Sequence, residues 1–352
     1  MRLFDAIRFR DVQLRNRIAV SPMCEYSAVD GVPQPWHLVH LGSRAVGGAG
    51  LVIAEASAVE ARGRISPADT GIWNEAQRDA WAGITRFIAQ QGAVAGIQLA
   101  HAGRKASVDV PWRGGARLEI DAGGWTPVAP SAIAYSVGDA APEALDEAGI
   151  QAIIAAFVQG ARFALDAGFE LAEVHAAHGY LLHEFLSPLT NRRSDAWGGS
   201  FDNRIRLTRE VVAAVRAVWP ERLPLFVRLS ATDWAEGGWD LEQSIALSRV
   251  LAGEGVDLID VSSGGLVSHQ AITAGPGYQV PFAARIRAEA GVATGAVGLI
   301  TEPAQADAII TAGQADIVLL ARELLRDPYW PRRAAKELGA RIDAPEQYGR
   351  AW

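Results

Sequence analysis

Lysine and cysteine are nearly missing from this chain. Of 352 residues only Lys105 and Lys336 are lysine, so all but two of the 33 basic side chains are arginine. Schiff-base chemistry needs a desolvated lysine at the end of a strand, and neither lysine stands in such a place. A single cysteine, Cys24, excludes an intrachain disulfide and a cysteine-held metal cluster. Positive charge is in deficit, with a formal net charge of -7, which argues against the basic footprint of a nucleic-acid binder. No run of about 18 apolar residues suggests a membrane span. Met1 to Asp5 lack the apolar core of a secretory signal. These absences predict a cytoplasmic soluble protein with neither nucleic acid nor membrane as partner.

What is present is ample material for a core: 49% of the residues are hydrophobic and 21% charged. Short strand-like runs fall at Arg17–Pro22, Leu51–Ala56, Val94–Leu99, Glu170–His175, Leu225–Leu229, Leu258–Val261, Val292–Thr294 and Ile317–Leu320. Helical periodicity fills the intervals, at about Trp36–Gly47, Asn74–Gln91, Asp146–Ala167, Phe201–Val218, Leu241–Gly253, Pro281–Ala290 and Glu302–Ala312, with a last helix from Pro331 to Leu338. Gly168, Gly255, Gly291 and Gly313 stand just past helix ends, where left-handed backbone is wanted. Eight strands alternating with eight helices and no long linker predict a single (β/α)8 barrel domain over residues 1–352. A doubly wound sheet fits less well, because it usually has fewer strands and a glycine-rich first turn.

One segment breaks the rhythm. From His101 to Leu145 the chain is rich in proline and glycine and has little periodicity. So long an insertion after strand three predicts a pocket wall.

In a barrel the C-terminal strand ends build the active site. Strand one runs into Ser21-Pro22-Met23-Cys24-Glu25-Tyr26, strand two into Glu55-Ala56-Ser57, and strand three into Gln98-Leu99-Ala100-His101. Strand four delivers His175, His178 and Tyr180, and strand five Arg228. Two imidazoles three apart, followed by a phenol, suit hydrogen bonding to one polar group beside a proton donor. Strand seven runs into Gly295-Ala296-Val297-Gly298 and strand eight into Ala321-Arg322-Glu323. Glycine backbone, a short helix start and a guanidinium in those two loops suit a phosphate-bearing ligand. A metal-dependent hydrolase using His175 and His178 as ligands is an alternative, as is a flavin-binding protein without catalysis. The first would want a third ligand, preferably on strand one, where Ser21 to Cys24 stand instead.

Taken jointly, several stretches resemble the Old Yellow Enzyme family of flavin-dependent ene-reductases, in its short bacterial, cysteine-containing, xenobiotic reductase-like subgroup. They are Leu14-Arg15-Asn16-Arg17-Ile18, Ser21-Pro22-Met23-Cys24, Gln98 to Lys105, Ala129-Pro130-Ser131, His175-Ala176-Ala177-His178-Gly179-Tyr180, Ser187 to Asp195, Gly198-Gly199-Ser200, Asn203-Arg204, Gly295 to Gly298, Arg322-Glu323 and Asp327-Pro328. The resemblance spans the chain. It implies a barrel holding FMN without a covalent bond, reduced by NADPH or NADH, and an enone, enal or related activated alkene as oxidant. It implies that His175 and His178 hold the substrate carbonyl and that Tyr180 gives the α-proton. Pro22, Met23, Cys24, Ala56, Gln98 and Arg228 would surround the flavin ring, and Gly295, Gly298, Ala321 and Arg322 its phosphate. Tyr26 and Lys105 would border the substrate. The tail over residues 340–352, with Tyr348, Arg350 and Trp352, would dock on a neighbouring subunit and place Arg350 in its pocket, which implies a homodimer or homotetramer.

Overall fold

The computed structural model describes residues 1–351. Eight parallel strands close into a barrel: β1 (Ile18–Val20), β2 (Leu51–Ala58), β3 (Val94–Ala100), β4 (Leu171–Ala176), β5 (Leu225–Ser230), β6 (Leu258–Ser262), β7 (Ala293–Ala296) and β8 (Ile317–Leu320). Each pairs with its neighbours in chain order, and β8 closes on β1. A strand with helices outside and side chains inside is covered on both faces, so it reads as a continuous apolar run. Leu51–Ala58 is such a run, buried at every position.

The barrel is ringed by α1 (Pro35–Val46), α2 (Glu75–Gln90), α3 (Glu147–Asp166), α5 (Phe201–Val218), α6 (Leu241–Gly253), α7 (Val280–Ala290) and α8 (Pro303–Thr311), with α10 (Trp330–Leu338) last. Caps fix where several begin. Asn74, Asp146, Ser200 and Asp240 each accept a hydrogen bond from the backbone N–H three residues on. By length and composition α3 is apolar enough to cross a membrane. Its buried stripe, which includes Ile150, Ile153 and Phe157, lies against β3 and α5.

Three features go beyond the sequence reading. An antiparallel hairpin, Ile7–Phe9 with Val12–Leu14, precedes β1. Its Phe9 ring meets Phe226 edge-on at 5.1 Å, so the hairpin covers the end of the barrel where β5 begins. One short helix was hidden, α4 (Leu181–Leu186), buried at all six positions, whereas the short helix start expected after strand eight is α9 (Arg322–Arg326). The strand expected at Val292–Thr294 begins one residue later and runs on to Ala296. The segment between β3 and α3 contains only brief helical turns and one pair of two-residue strands, Val128–Ala129 with Glu143–Ala144.

Candidate active site

At the C-terminal end of β4 the backbone turns sharply enough to need left-handed geometry at two consecutive residues. His178 has φ 60° and Gly179 φ 73°. A Cβ on Gly179 would lie 2.2 Å from the carbonyl oxygen of Gly265, so only glycine fits there. The turn sets three rings together: His175 is 5.2 Å from His178 and 5.1 Å from Tyr180, both edge-on. The Nδ1 atom of His175 is buried without a hydrogen-bond partner. His178 Nε2 pairs with the Ser262 hydroxyl at 2.6 Å, and its backbone N–H donates to Ser230 Oγ at 2.9 Å.

Burial, and then neighbouring cations such as Arg228 and Lys105, push both imidazoles well below the usual histidine range. They are neutral at physiological pH. Burial also holds the Tyr180 phenol well above its usual range, helped by Cys24 and Tyr26. It keeps its proton at neutral pH.

Lys105, in a turn just after β3, crosses behind this cluster. Its ammonium donates to the carbonyl oxygens of His178 at 2.9 Å and Gly265 at 3.0 Å. It also lies 5.0 Å from the Tyr180 ring centre and 4.9 Å from that of Tyr135. Burial lowers its pKa to about 8. Cys24, Tyr26 and Tyr180 pack around Ile65, Ala102 and Ala106. Burial, then Asp69 and Glu55, hold the Cys24 thiol well above its usual range.

Beside the histidines runs a cavity of about 300 Å³. Pro22, His178 and Arg228 line it, as do Gly298, Ala321 and Arg322. Arg228 is fixed by Asp260 at 2.7 Å and by the Ser21 hydroxyl, also at 2.7 Å. Gln98, on β3, is buried and donates to Glu173 at 2.8 Å. Gly298 has φ 121° and lies against Gln279 and Tyr278, a backbone that a side chain would strain.

Not every expected residue faces this cavity. Gly295 packs its Cα against β8, where a Cβ would meet Leu319 at 2.4 Å, and it is not among the lining residues. Met23 packs against the main core, and Ala56 stands in a small separate cleft beside Tyr180. Arg350 and Tyr348 are exposed and lie away from the cavity within one chain. Trp352 lies outside the described residues. Sequence reasoning missed Ser262, Tyr278, Gln279, Thr301 and Arg326, which all line the cavity. Tyr278, Gln279 and Thr301 sit in loops of ordinary composition, and Arg326 ends α9. Only Ser262, at the end of a strand, carried a positional signal.

A parallel barrel whose strand-end cavity is lined by Arg228, Gly298 and Arg322 suits an enzyme that holds a phosphate-bearing cofactor. The family described as NADH:flavin oxidoreductase / NADH oxidase matches residues 2–340. The chain belongs to that family. It is 50% identical to the NADPH dehydrogenase of Geobacillus sp. (strain WCH70), over 99% of this chain and 98% of that relative. It is 47% identical to the NADPH dehydrogenase of Bacillus subtilis (strain 168), over 100% of this chain and 99% of that one. Among solved structures it resembles the old yellow enzyme homologue from Zymomonas mobilis, with TM-score 0.80 and 28% identity over 99% of this chain and 96% of that one. Morphinone reductase in complex with tetrahydroNAD aligns with TM-score 0.79 and 28% identity, over 98% of this chain and 93% of that one.

The protein is therefore an FMN-dependent oxidoreductase of the Old Yellow Enzyme family, supplied with electrons by a reduced nicotinamide. The residues present fit FMN. The cavity is lined by the Arg228 and Arg322 guanidinium groups and by Gly298, where a Cβ would meet Gln279 at 2.9 Å, so cation, hydrogen-bonding groups and open backbone are all present for a phosphate-bearing ring cofactor.

Proposed function

We propose that the protein is an ene-reductase of the cysteine-containing subgroup, reducing the activated C=C bond of an α,β-unsaturated carbonyl compound. The observation that carries this reading is the convergence of His175, His178 and Tyr180 on one turn at the mouth of the barrel. FMN, when bound, would supply the hydride chemistry that links NADPH or NADH to the β-carbon of the alkene.

The chain's own residues do the rest. The neutral imidazoles of His175 and His178 donate hydrogen bonds to the carbonyl oxygen, where negative charge grows as the hydride arrives. For His178 this means sharing or exchanging its contact with Ser262. Tyr180 gives its proton to the α-carbon, and its buried, protonated phenol suits that task. Arg228 and Gln98 bind the pyrimidine edge of the flavin. Pro22, Met23, Cys24 and Ala56 border the ring, with Cys24 tuning it. Gly298, Ala321 and Arg322, with Gly295 supporting their loop, hold the phosphate. Tyr26 and Lys105 flank the substrate. Arg350 completes the pocket of a neighbouring subunit in a homodimer or homotetramer, since within its own chain it lies away from the cavity.

A metal-dependent hydrolase would need a third ligand beside the two histidines. Among the described residues no three His, Cys, Asp or Glu side chains come together as such a set. The test is to follow NADPH oxidation by cyclohexenone under anaerobic conditions. Stoichiometric cyclohexanone supports the reading. NADPH oxidation that proceeds only with oxygen or quinones, and never forms cyclohexanone, overturns it.

A further inference from the structure

Beneath the pyrimidine end of the cavity the barrel interior holds four polar side chains from four successive strands. They are Gln98 of β3, Glu173 of β4, Arg228 of β5 and Asp260 of β6. All are buried, and Glu173 and Asp260 have no exposure at all. The strand register puts Gln98 opposite Glu173 and Arg228 opposite Asp260.

The nearest cation divides the two carboxyl groups. Burial raises the pKa of both, but Asp260 alone has the Arg228 guanidinium against it, at 2.7 Å, which opposes burial and favours its charged form. Glu173 has no cation of its own. Its Oε1 accepts from the Gln98 amide at 2.8 Å, while its Oε2 is buried with no donor. The two carboxyl groups are within hydrogen-bonding reach of each other. Two carboxylates cannot form that bond, because each only accepts; one of them must carry a proton. Leaving Oε2 as a bare anionic oxygen would bury charge without a partner, whereas an O–H there donates to Asp260.

We infer that Glu173 is a protonated carboxylic acid that donates to the Asp260 carboxylate, and that this shared proton sets the charge which Arg228 presents to the flavin. The groups facing the pair are Gln98, Arg228 and, next along β4, His175, which is neutral. The four-residue cluster then carries one positive and one negative charge. Loss of the shared proton would place two negative charges against one guanidinium and oppose electron entry into the flavin. Burial, followed by the Asp260 charge, raises the Glu173 pKa, so this loss belongs to mildly alkaline pH. Glu173 and Asp260 are positioning residues, acting on the flavin through Arg228 and Gln98. The inference rests on FMN lying with its pyrimidine edge at Arg228, as proposed above.

The experiment is a redox titration of the FMN-loaded protein from about pH 6 to about pH 9, a span bracketing a raised carboxyl pKa. Wild type and Glu173→Gln are compared, with infrared difference spectra of the two apoproteins. Glutamine can accept from Gln98 and donate to Asp260, but it cannot ionise. The expected result is an equal midpoint potential at neutral pH. The wild-type potential should fall more steeply on the alkaline side, and this extra fall should be absent in Glu173→Gln. Asp260→Asn, which leaves the Arg228 charge uncompensated, should shift the potential upward. A protonated-carboxyl C=O band should be present in the wild-type apoprotein and missing from Glu173→Gln. Infrared spectra without such a band overturn the shared proton whether or not FMN binds. A band that is present, with identical pH profiles in both proteins, overturns its effect on the flavin. If the band is lost in Glu173→Gln but potentials respond to neither substitution, the placement of the flavin against Arg228 is what fails.

Discussion

His183 and Asp233, both fully buried, lie 2.8 Å apart beside the turn that carries His175, His178 and Tyr180. The backbone N–H of Gly179 donates to His183 Nδ1 at 2.9 Å, so the ring proton is on Nε2 and is donated to Asp233. Asp233 also accepts from Ser187 Oγ and from the Trp239 backbone N–H, each at 2.6 Å. One carboxylate thus ties the loop after β5 to the helix that follows Tyr180. Asp233→Ala should cost about 1.5–3 kcal/mol, the usual worth of hydrogen bonding to a charged group, because His183, Ser187 and the Trp239 N–H lose their shared acceptor. Denaturant unfolding checks the magnitude, and Asp233→Asn should recover part of the loss.

Stability should fall in acid for reasons that can be signed. Burial raises the Asp233 carboxyl, but His183, Ser187 and the Trp239 N–H outweigh it and hold the pKa below the usual range. Its contribution is full above the ordinary aspartate pKa and is lost as pH falls through the lowered one. His175 and His178 act in the same direction at milder pH. Their folded pKa values are depressed, so the unfolded chain takes up protons first as pH falls through about 6.5. Thermal melting temperatures measured across pH should decline in two stages. The upper stage should weaken when His178 is replaced by Gln.

The barrel was legible in the sequence because buried parallel strands and amphipathic helices write different periods. Leu51–Ala58 and Glu75–Gln90 are clear cases. The turn at His175 to Tyr180 was legible because chemically capable residues gathered at one strand end. The helix Leu181–Leu186 was not, since all six of its residues are buried and no polar face marks its period. Nor was the Glu173–Asp260 contact, which joins strands 87 positions apart through a register that pattern alone does not specify. Gly295, expected beside the phosphate, packs its Cα against Leu319 and does not line the cavity, a contact between neighbouring strands that sequence pattern does not reveal.

Cys24 should be a sluggish nucleophile. Its thiol is raised by burial and by the nearby Asp69 and Glu55 carboxyls, so little thiolate exists at neutral pH. Alkylation by iodoacetamide should be slower than for a free thiol in solution, and should speed up on denaturation. Alkylation at the rate of a free thiol would show the site to be open and electropositive instead.

Removing a hydrogen-bond donor to a developing or full negative charge costs about 1.5–3 kcal/mol. His178→Ala should therefore weaken the binding of a phenolate such as p-hydroxybenzaldehyde by roughly ten- to a hundredfold. Titration of the long-wavelength charge-transfer band measures this. Because both imidazoles stay neutral, the wild-type affinity should follow the ionisation of the phenol, with no inflection near pH 6.5.

Arg350→Ala should leave FMN content unchanged and raise the KM for the alkene, because the residue lies away from its own cavity. Size-exclusion chromatography with light scattering accompanies the kinetics. A monomeric wild type with unaltered kinetics in Arg350→Ala would remove the neighbouring subunit from the site.

The measurement that bears most directly on the central claim separates the two half-reactions of Tyr180→Phe by anaerobic stopped flow. Reduction of the flavin by NADPH should proceed at the wild-type rate, since the phenol takes no part in it. Reoxidation by cyclohexenone should slow by about 10²–10⁴-fold, the usual worth of a positioned general acid. Equal slowing of both steps, or unimpaired reoxidation, would contradict Tyr180 as the proton donor and with it the assignment of this turn to alkene reduction.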